Sequence, residues 1–287
     1  MAEIAFIGTG LLGAGMVERM RLDGHEINVW NRTERKARAL EAHGAIVAAT
    51  PEDAATGVER IHMTLTDDAV VDGIVERITP RLREGTIVVD HSTTSPAGTR
   101  GRFERLRRAG IRFIHAPVFM SPQMCREGLG LMMVSAPAAD CQAVHPALER
   151  MTGEVWYLGE RPDLAAVYKL CGNAMLFAIT GGLADVSAIA KACSVEPEAA
   201  LTVFTKFMVG NSIAMRGGKM VRADFSPSFE LAMARKDIVL MLEAADGFPL
   251  VVLPAVARRM DEAIAEGHGG EDLAAVGAHV VLARPRS

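Results

Sequence analysis

The sequence predicts an α/β fold, a doubly wound and mainly parallel sheet followed by an all-α domain. Three observations predict it. The apolar run Ile4–Ile7 opens directly into glycines at positions 8, 10 and 13 and then into a helical pattern. Short β-branched runs alternate with helical stretches as far as Leu158. From Asp163 onward strand patterns vanish. Such alternation implies helices layered on a parallel sheet. We place the sheet domain at 1–162 and the helical domain at 163–287.

In chain order, the first strand runs into Gly8, Thr9, Gly10, Leu11, Leu12 and Gly13. This is a GxGxxG loop in the strand–loop–helix setting that gives it meaning as a Rossmann dinucleotide site. Gly8 permits the tight turn, Gly10 lets the backbone approach a pyrophosphate, and Gly13 lets the helix pack on the strand. The helix N-terminus then offers free N–H groups to the phosphates. The second strand, His25–Trp30, ends in Asn31, Arg32 and Thr33. An acidic residue here would hold a ribose 2′-OH. Asn31 stands in its place, and the planar fork of Arg32 suits a 2′-phosphate, so NADP is expected over NAD. The alternative for Arg32 is an ordinary solvated arginine. Thr33 is expected both to donate to that phosphate and to cap the next helix.

Further strands are expected at Ile46–Val47, Arg60–Leu65, Thr86–Asp90, Arg112–Ala116, Leu131–Val134 and Val155–Leu158. Helices are expected from Pro51 after the Thr50 cap, over Asp68–Ile78 and from Pro96. Leu65 and Thr66 follow a strand whose carboxyl end should face the cofactor. The second half reads as helices over Leu164–Cys193, Pro197–Phe207, Phe229–Ala245 and Val251–Glu266. The first of these would span roughly 45 Å, and its apolar character predicts burial on several sides.

Bulk properties narrow the function. The 287 residues carry a formal net charge of −4 and no block of like charges, which gives no support for a nucleic-acid partner. No export signal is evident. The uncharged run Leu170–Ala184 falls short of the roughly 20 residues of a membrane span. Cys125, Cys141, Cys171 and Cys193 form no CxxC pair and no metal-ligand spacing. No metal is expected, and free thiols point to the cytoplasm.

Inside the apolar segment one cation and one amide, Lys169 and Asn173, stand four residues apart. On a helix they share a face. A buried ammonium must be paired, deprotonated or used. We read Lys169 as the proton donor of a dehydrogenase; the alternative is a lysine that snorkels to solvent. His91 and His115, near strand ends, are read as mainly structural, and Asp185 as a solvent-facing or subunit-paired position.

With these residues in hand the chain resembles the β-hydroxyacid dehydrogenase family, which includes 3-hydroxyisobutyrate dehydrogenase and the tartronate, glyoxylate and succinic semialdehyde reductases. The resemblance covers nearly the whole length. It rests on Phe6–Met16, on Asp90–Pro96, on Lys169 with Asn173, and on Lys236-Asp237 within Ala234–Leu240. It implies NAD(P) on the first domain and substrate in a cleft between domains. It implies that Lys169 is the catalytic acid/base and that Asn173 orients it and the substrate. Thr93 would lie near the nicotinamide ribose and substrate, and Lys236 would reach the cofactor from the helical domain. It also implies a homodimer or homotetramer built through the helical domain.

One block departs from the family. After Ala116-Pro117-Val118 the family generally has a serine followed by glycines, whereas this chain has Phe119, Met120, Ser121, Pro122, Gln123 and Met124. Phe119 removes the hydroxyl, and Met120 adds bulk. Ser121 and Gln123 are the remaining hydrogen-bond donors. The loop is similar to that of imine reductases, although those generally carry Asp or Tyr where this chain keeps Lys169. Carbonyl reduction by NADPH, or its reverse, is therefore the first expectation. Imine reduction and non-catalytic NADP binding are the alternatives.

Overall fold

The computed structural model describes residues 2–283. Nine strands form one sheet: β1 (Ile4–Ile7), β2 (Ile27–Trp30), β3 (Ile46–Val47), β4 (Arg60–Met63), β5 (Ile87–Asp90), β6 (Arg112–His115), β7 (Val118–Phe119), β8 (Leu131–Ser135) and β9 (Glu154–Gly159). Their order is β3-β2-β1-β4-β5-β6-β8-β7, with β9 also on β8. Pairing is parallel from β3 to β6. β8 runs antiparallel to β6 and β7 and parallel to β9. The order reverses between β1 and β4. There, loops leaving the carboxyl ends diverge and open a crevice.

Helices α1 (Leu11–Leu22), α2 (Glu34–Arg38), α3 (Pro51–Ala55), α4 (Asp68–Ile78), α5 (Pro96–Arg108), α6 (Pro122–Glu127) and α7 (Ala138–Thr152) connect the strands. Their starts carry the expected chemistry. The side chains of Thr50, Asp67, Ser95 and Ser121 accept from the third backbone N–H beyond them, each satisfying an otherwise orphaned donor. Thr33 occupies the cap position of α2 but makes no such bond, so its expected capping role is corrected. Two apolar layers cover the sheet. One joins Met16, Val17 and Met20 of α1 to Val144 and Leu148 of α7. The other joins Val71, Ile74 and Val75 of α4 to Leu106 of α5. Neither β7 nor α6 is visible in the sequence pattern, because both are very short.

The remaining helices are α8 (Leu164–Ala192), α9 (Pro197–Leu201), α10 (Gly210–Val221), α11 (Leu231–Ala244), α12 (Leu253–Ala263) and α13 (Ala278–Val281). The chain divides into two compact units, Met1–Asn173 and Ala174–Ser287. The sequence puts the boundary at 162/163, whereas this division falls inside α8. The first turns of α8 are tied to the sheet. Ser135 Oγ donates to the Pro162 carbonyl and accepts from the Ala165 N–H, and Tyr168 packs edge-on against Trp156. Lys169 and Asn173 therefore belong to the sheet unit.

The second unit has its own core of Leu231, Ala234, Ile238, Ala257, Met260, Ala263 and Ala275. Asp185, on α8, is 2% exposed and accepts hydrogen bonds from the N–H groups of Val251, Val252 and Leu253. Burial pushes its pKa up, and those three donors outweigh burial and hold it low. The solvent-facing reading of Asp185 is thereby corrected. The prediction that α8 is buried on several sides is corrected too, since Met175, Leu176, Phe177 and Ile179 are exposed in the single chain. By length and composition alone α8 is able to cross a membrane.

Candidate active site

The three glycines of the loop play different parts. Gly8 has φ +94°, and a Cβ there would overlap the Thr64 carbonyl. A Cβ on Gly13 would overlap the Gly8 carbonyl. A Cβ on Gly10 would meet nothing within 4 Å. Packing thus forces Gly8 and Gly13, whereas Gly10 borders open space. That space is a cleft of about 460 Å³ at the β1/β4 reversal, bordered by Gly8, Gly10, Asn31, Arg32, Thr33, Leu65 and Thr66. Leu11 beside it is 78% exposed, and Leu12 packs against the α1 layer. The Thr9 hydroxyl is buried without a partner among the described residues. An open backbone cradle with a helix N-terminus at its rim fits a dinucleotide pyrophosphate.

Asn31 plays a part the sequence does not reveal. Its Oδ1 accepts from the Thr9 N–H at 3.0 Å, and its Nδ2 donates to the Thr33 carbonyl at 3.0 Å. The amide staples the glycine loop to the end of β2. Arg32 is exposed and makes no ion pair among the described residues. Lys36 and Arg77, also at the cleft, did not emerge from sequence reasoning. Arg77 is paired with Glu52 and lies over the Trp30 ring. Lys36, on the short helix α2 that begins just after Arg32, borders the same cleft and adds a second cation there.

Buried polar side chains fix the strand ends behind the cleft. Arg60 Nε donates to His62 Nε2 at 2.9 Å, His62 Nδ1 meets His91 Nε2 at 2.9 Å, and His91 Nδ1 meets the Ala116 carbonyl at 2.8 Å. Since His62 Nε2 accepts, its proton sits on Nδ1, and the same logic puts the His91 proton on Nδ1. The bonds then run in one direction across three strands with both rings neutral. Burial drives the His91 pKa down to about 4 and that of His62 well below its ordinary value. His115 is also buried and bonded to the Ser92 carbonyl and the Thr94 hydroxyl. These histidines are structural, as expected for His91 and His115. The Ser92 hydroxyl accepts from the Leu65 N–H at 2.9 Å, which ties the loop after β4 to the loop after β5. Thr93, on that second loop, is exposed between buried Ser92 and Thr94.

Lys169 is half-buried. Its Nζ donates to the Val118 carbonyl at 2.8 Å and lies 3.8 Å from the centre of the Phe119 ring. Burial lowers its pKa, with no charged neighbour contributing. Asn173 makes no hydrogen bond to Lys169 among the described residues. The groups that meet the ammonium come from β7, the Val118 carbonyl and the Phe119 ring. The remaining donors expected near the substrate are also redirected. The Ser121 oxygen caps α6 by accepting from the Met124 N–H, and Gln123 donates to Glu127 one turn on. Met120 packs against Gly130. Lys236 lies in the second unit, where it pairs with Asp237 at 2.7 Å.

Residues 3–159 match the family model of the NAD-binding domain of 6-phosphogluconate dehydrogenase, and residues 164–280 match that of the NAD-binding domain of NADP-dependent 3-hydroxyisobutyrate dehydrogenase. The chain belongs to the β-hydroxyacid dehydrogenase family. It is an NAD(P)-dependent oxidoreductase. Among family relatives, 2-(hydroxymethyl)glutarate dehydrogenase of Eubacterium barkeri is 25% identical over 96% of this chain and 93% of its own length. The 3-sulfolactaldehyde reductase of Escherichia coli is 26% identical over 96% and 95%. In fold, the chain is similar to a reductive aminase from Aspergillus terreus, with a TM-score of 0.88 at 19% identity over 97% of this chain and 99% of that one.

Proposed function

We propose that the chain catalyses the NADPH-dependent reduction of an aldehyde or ketone to an alcohol, or the reverse, with Lys169 as proton donor. The bound dinucleotide supplies the hydride. The observation that carries this reading is the Lys169 ammonium, a half-buried cation without a carboxylate partner among the described residues. Desolvation makes proton release easier than from a solvated lysine. In the reduction, Lys169 would pass a proton to the alkoxide oxygen that develops as the carbonyl carbon is reduced. The neutral amine then regains its proton from water. Asn173, on the same helical face, is left to hold the substrate, with Thr93 toward the cofactor, and Lys236 is the residue of the helical unit that the family resemblance assigns to cofactor contact.

Arg32 and Lys36 support a preference for NADP, since both cations border the cleft beyond the Asn31 staple. The exposed apolar side chains of α8 support a homo-oligomer, and Asp185 on the same helix argues against a lipid-facing role. The free thiols support a cytoplasmic setting. Imine reduction is the second reading, favoured by Phe119 and Met120, which make the loop before α6 apolar.

The test follows NADPH absorbance against parallel panels of semialdehydes, keto acids, neutral ketones and cyclic imines, with wild type and Lys169→Ala side by side. Carbonyl turnover lost in the variant supports the reading. Full carbonyl activity in Lys169→Ala refutes it. Turnover of imines alone moves the chemistry to the second reading, and tight NADPH binding without any turnover points to a binding protein.

A further inference from the structure

The segment that replaces a small, polar turn in this chain does more than shape a pocket. An ammonium has three N–H bonds and no acceptor. One bond of Lys169 goes to the Val118 carbonyl at 2.8 Å, and the Phe119 ring takes another through its π face, 3.8 Å from Nζ to the ring centre. A cation at that distance over an aromatic face is attracted by the ring quadrupole, most strongly where water is excluded. Gly172, one turn beyond Lys169 on α8, makes the arrangement possible, because a Cβ at this position would overlap Cζ of the ring. Carbonyl, ring and glycine thus form one fitted unit around the amine, drawn from β7 and α8. The groups that meet the ammonium among the described residues, the Val118 carbonyl and the Phe119 ring, are uncharged, no charged neighbour acts on it, and Tyr168 and Cys171 are the nearest titratable residues in sequence.

We propose that Phe119 is a positioning residue for the reaction: its ring and the Val118 carbonyl clamp the Lys169 ammonium, hold it cationic and leave it one N–H with which to meet the substrate oxygen. This rests on the reading of Lys169 as the proton donor. The ring has two opposed effects. It shields the amine from water, which favours the neutral form, and its π face favours the cation. Replacement by an aliphatic side chain keeps the shielding and removes the π face. The clamp also confines the amine to one direction, so its loss lowers turnover more than it weakens substrate binding.

The test uses the full chain labelled with ¹³C-lysine. The sequence has six lysines, and Lys169→Met assigns the signal of interest. The Lys169 titration is followed by NMR in wild type, Phe119→Leu, Phe119→Tyr and Gly172→Ala, and the high-pH limb of kcat/KM is measured on the same proteins. In Phe119→Leu both midpoints move down by about one pH unit, the size of a desolvated cation–π contact, with kcat reduced more than KM is raised. Phe119→Tyr, which keeps the ring, retains the wild-type midpoint. Gly172→Ala displaces the ring and imitates Phe119→Leu, and adding it to Phe119→Leu produces no further shift. An NMR midpoint that stays fixed or rises in a folded Phe119→Leu overturns the clamp, as does full additivity of the two substitutions. An NMR midpoint that falls while the rate limb stays put upholds the clamp and overturns Lys169 as the acid.

Discussion

Asn31 holds the Thr9 backbone N–H at 3.0 Å through its side-chain oxygen, and so couples the dinucleotide loop to the end of the neighbouring strand. Its amide nitrogen is engaged by the Thr33 carbonyl. The residue that stands where an acid would meet a ribose is therefore a staple in the loop, and the charged side chains that line the cleft are cationic.

Cofactor choice follows from that arrangement. Arg32→Ala should lower kcat/KM for NADPH by about 10- to 100-fold, the loss of one or two charge-assisted hydrogen bonds, with little change for NADH. Lys36→Ala should act in the same direction and more weakly. Asn31→Asp should keep the acceptor for Thr9, lose the donor to Thr33 and repel a 2′-phosphate, shifting the NADPH:NADH ratio toward NADH. Steady-state kinetics with the two cofactors decide all three.

The proton donor has its own signature. Lys169→Ala should reduce carbonyl turnover by about 10²- to 10⁴-fold, the range of a positioned general acid, with NADPH affinity retained by fluorescence titration. Reduction needs the ammonium, so its rate should fall as pH rises through the lowered pKa of Lys169.

Acid stability should follow the buried histidines. Neutral His91 has its pKa held at about 4 against an ordinary 6.5. Below 6.5 the unfolded chain takes up a proton that the folded chain refuses. Stability is thus complete above about pH 6.5 and declines as pH falls toward 4, by roughly 3 kcal/mol for this one ring. His62 adds to the loss in the same direction. Denaturant titrations at pH 7.5, 6, 5 and 4.5 should show that decline, and His62→Gln should flatten it.

Asp185 should prove structural. Asp185→Ala leaves three backbone N–H groups at the start of α12 without their acceptor and should cost on the order of 2–4 kcal/mol. Asp185→Asn keeps one acceptor oxygen and should cost less. Urea unfolding measures both. An unchanged midpoint in the alanine variant would place the carboxylate outside the folding energetics.

The sequence by itself determined the parts of this protein that rest on local rules. Gly8, Gly10 and Gly13 between a strand and a helix announce a dinucleotide loop, because the motif and its strand–loop–helix setting are local in the chain. Caps such as Thr50 and the alternation of strand and helix were legible for the same reason. The pair Lys169 and Asn173 stood out because a cation in an apolar stretch demands an explanation. Tertiary structure alone decided what surrounds them. The Val118 carbonyl and Phe119 ring reach Lys169 across about fifty residues of chain. Asp185 finds its donors still farther away in sequence, and the His62–His91 chain joins two strands. Such partners are set by how elements pack, so no spacing or periodicity encodes them. Gly172 shows the difference most plainly. In the sequence it is a glycine inside a helix, and only the ring packed against it gives the missing side chain a reason.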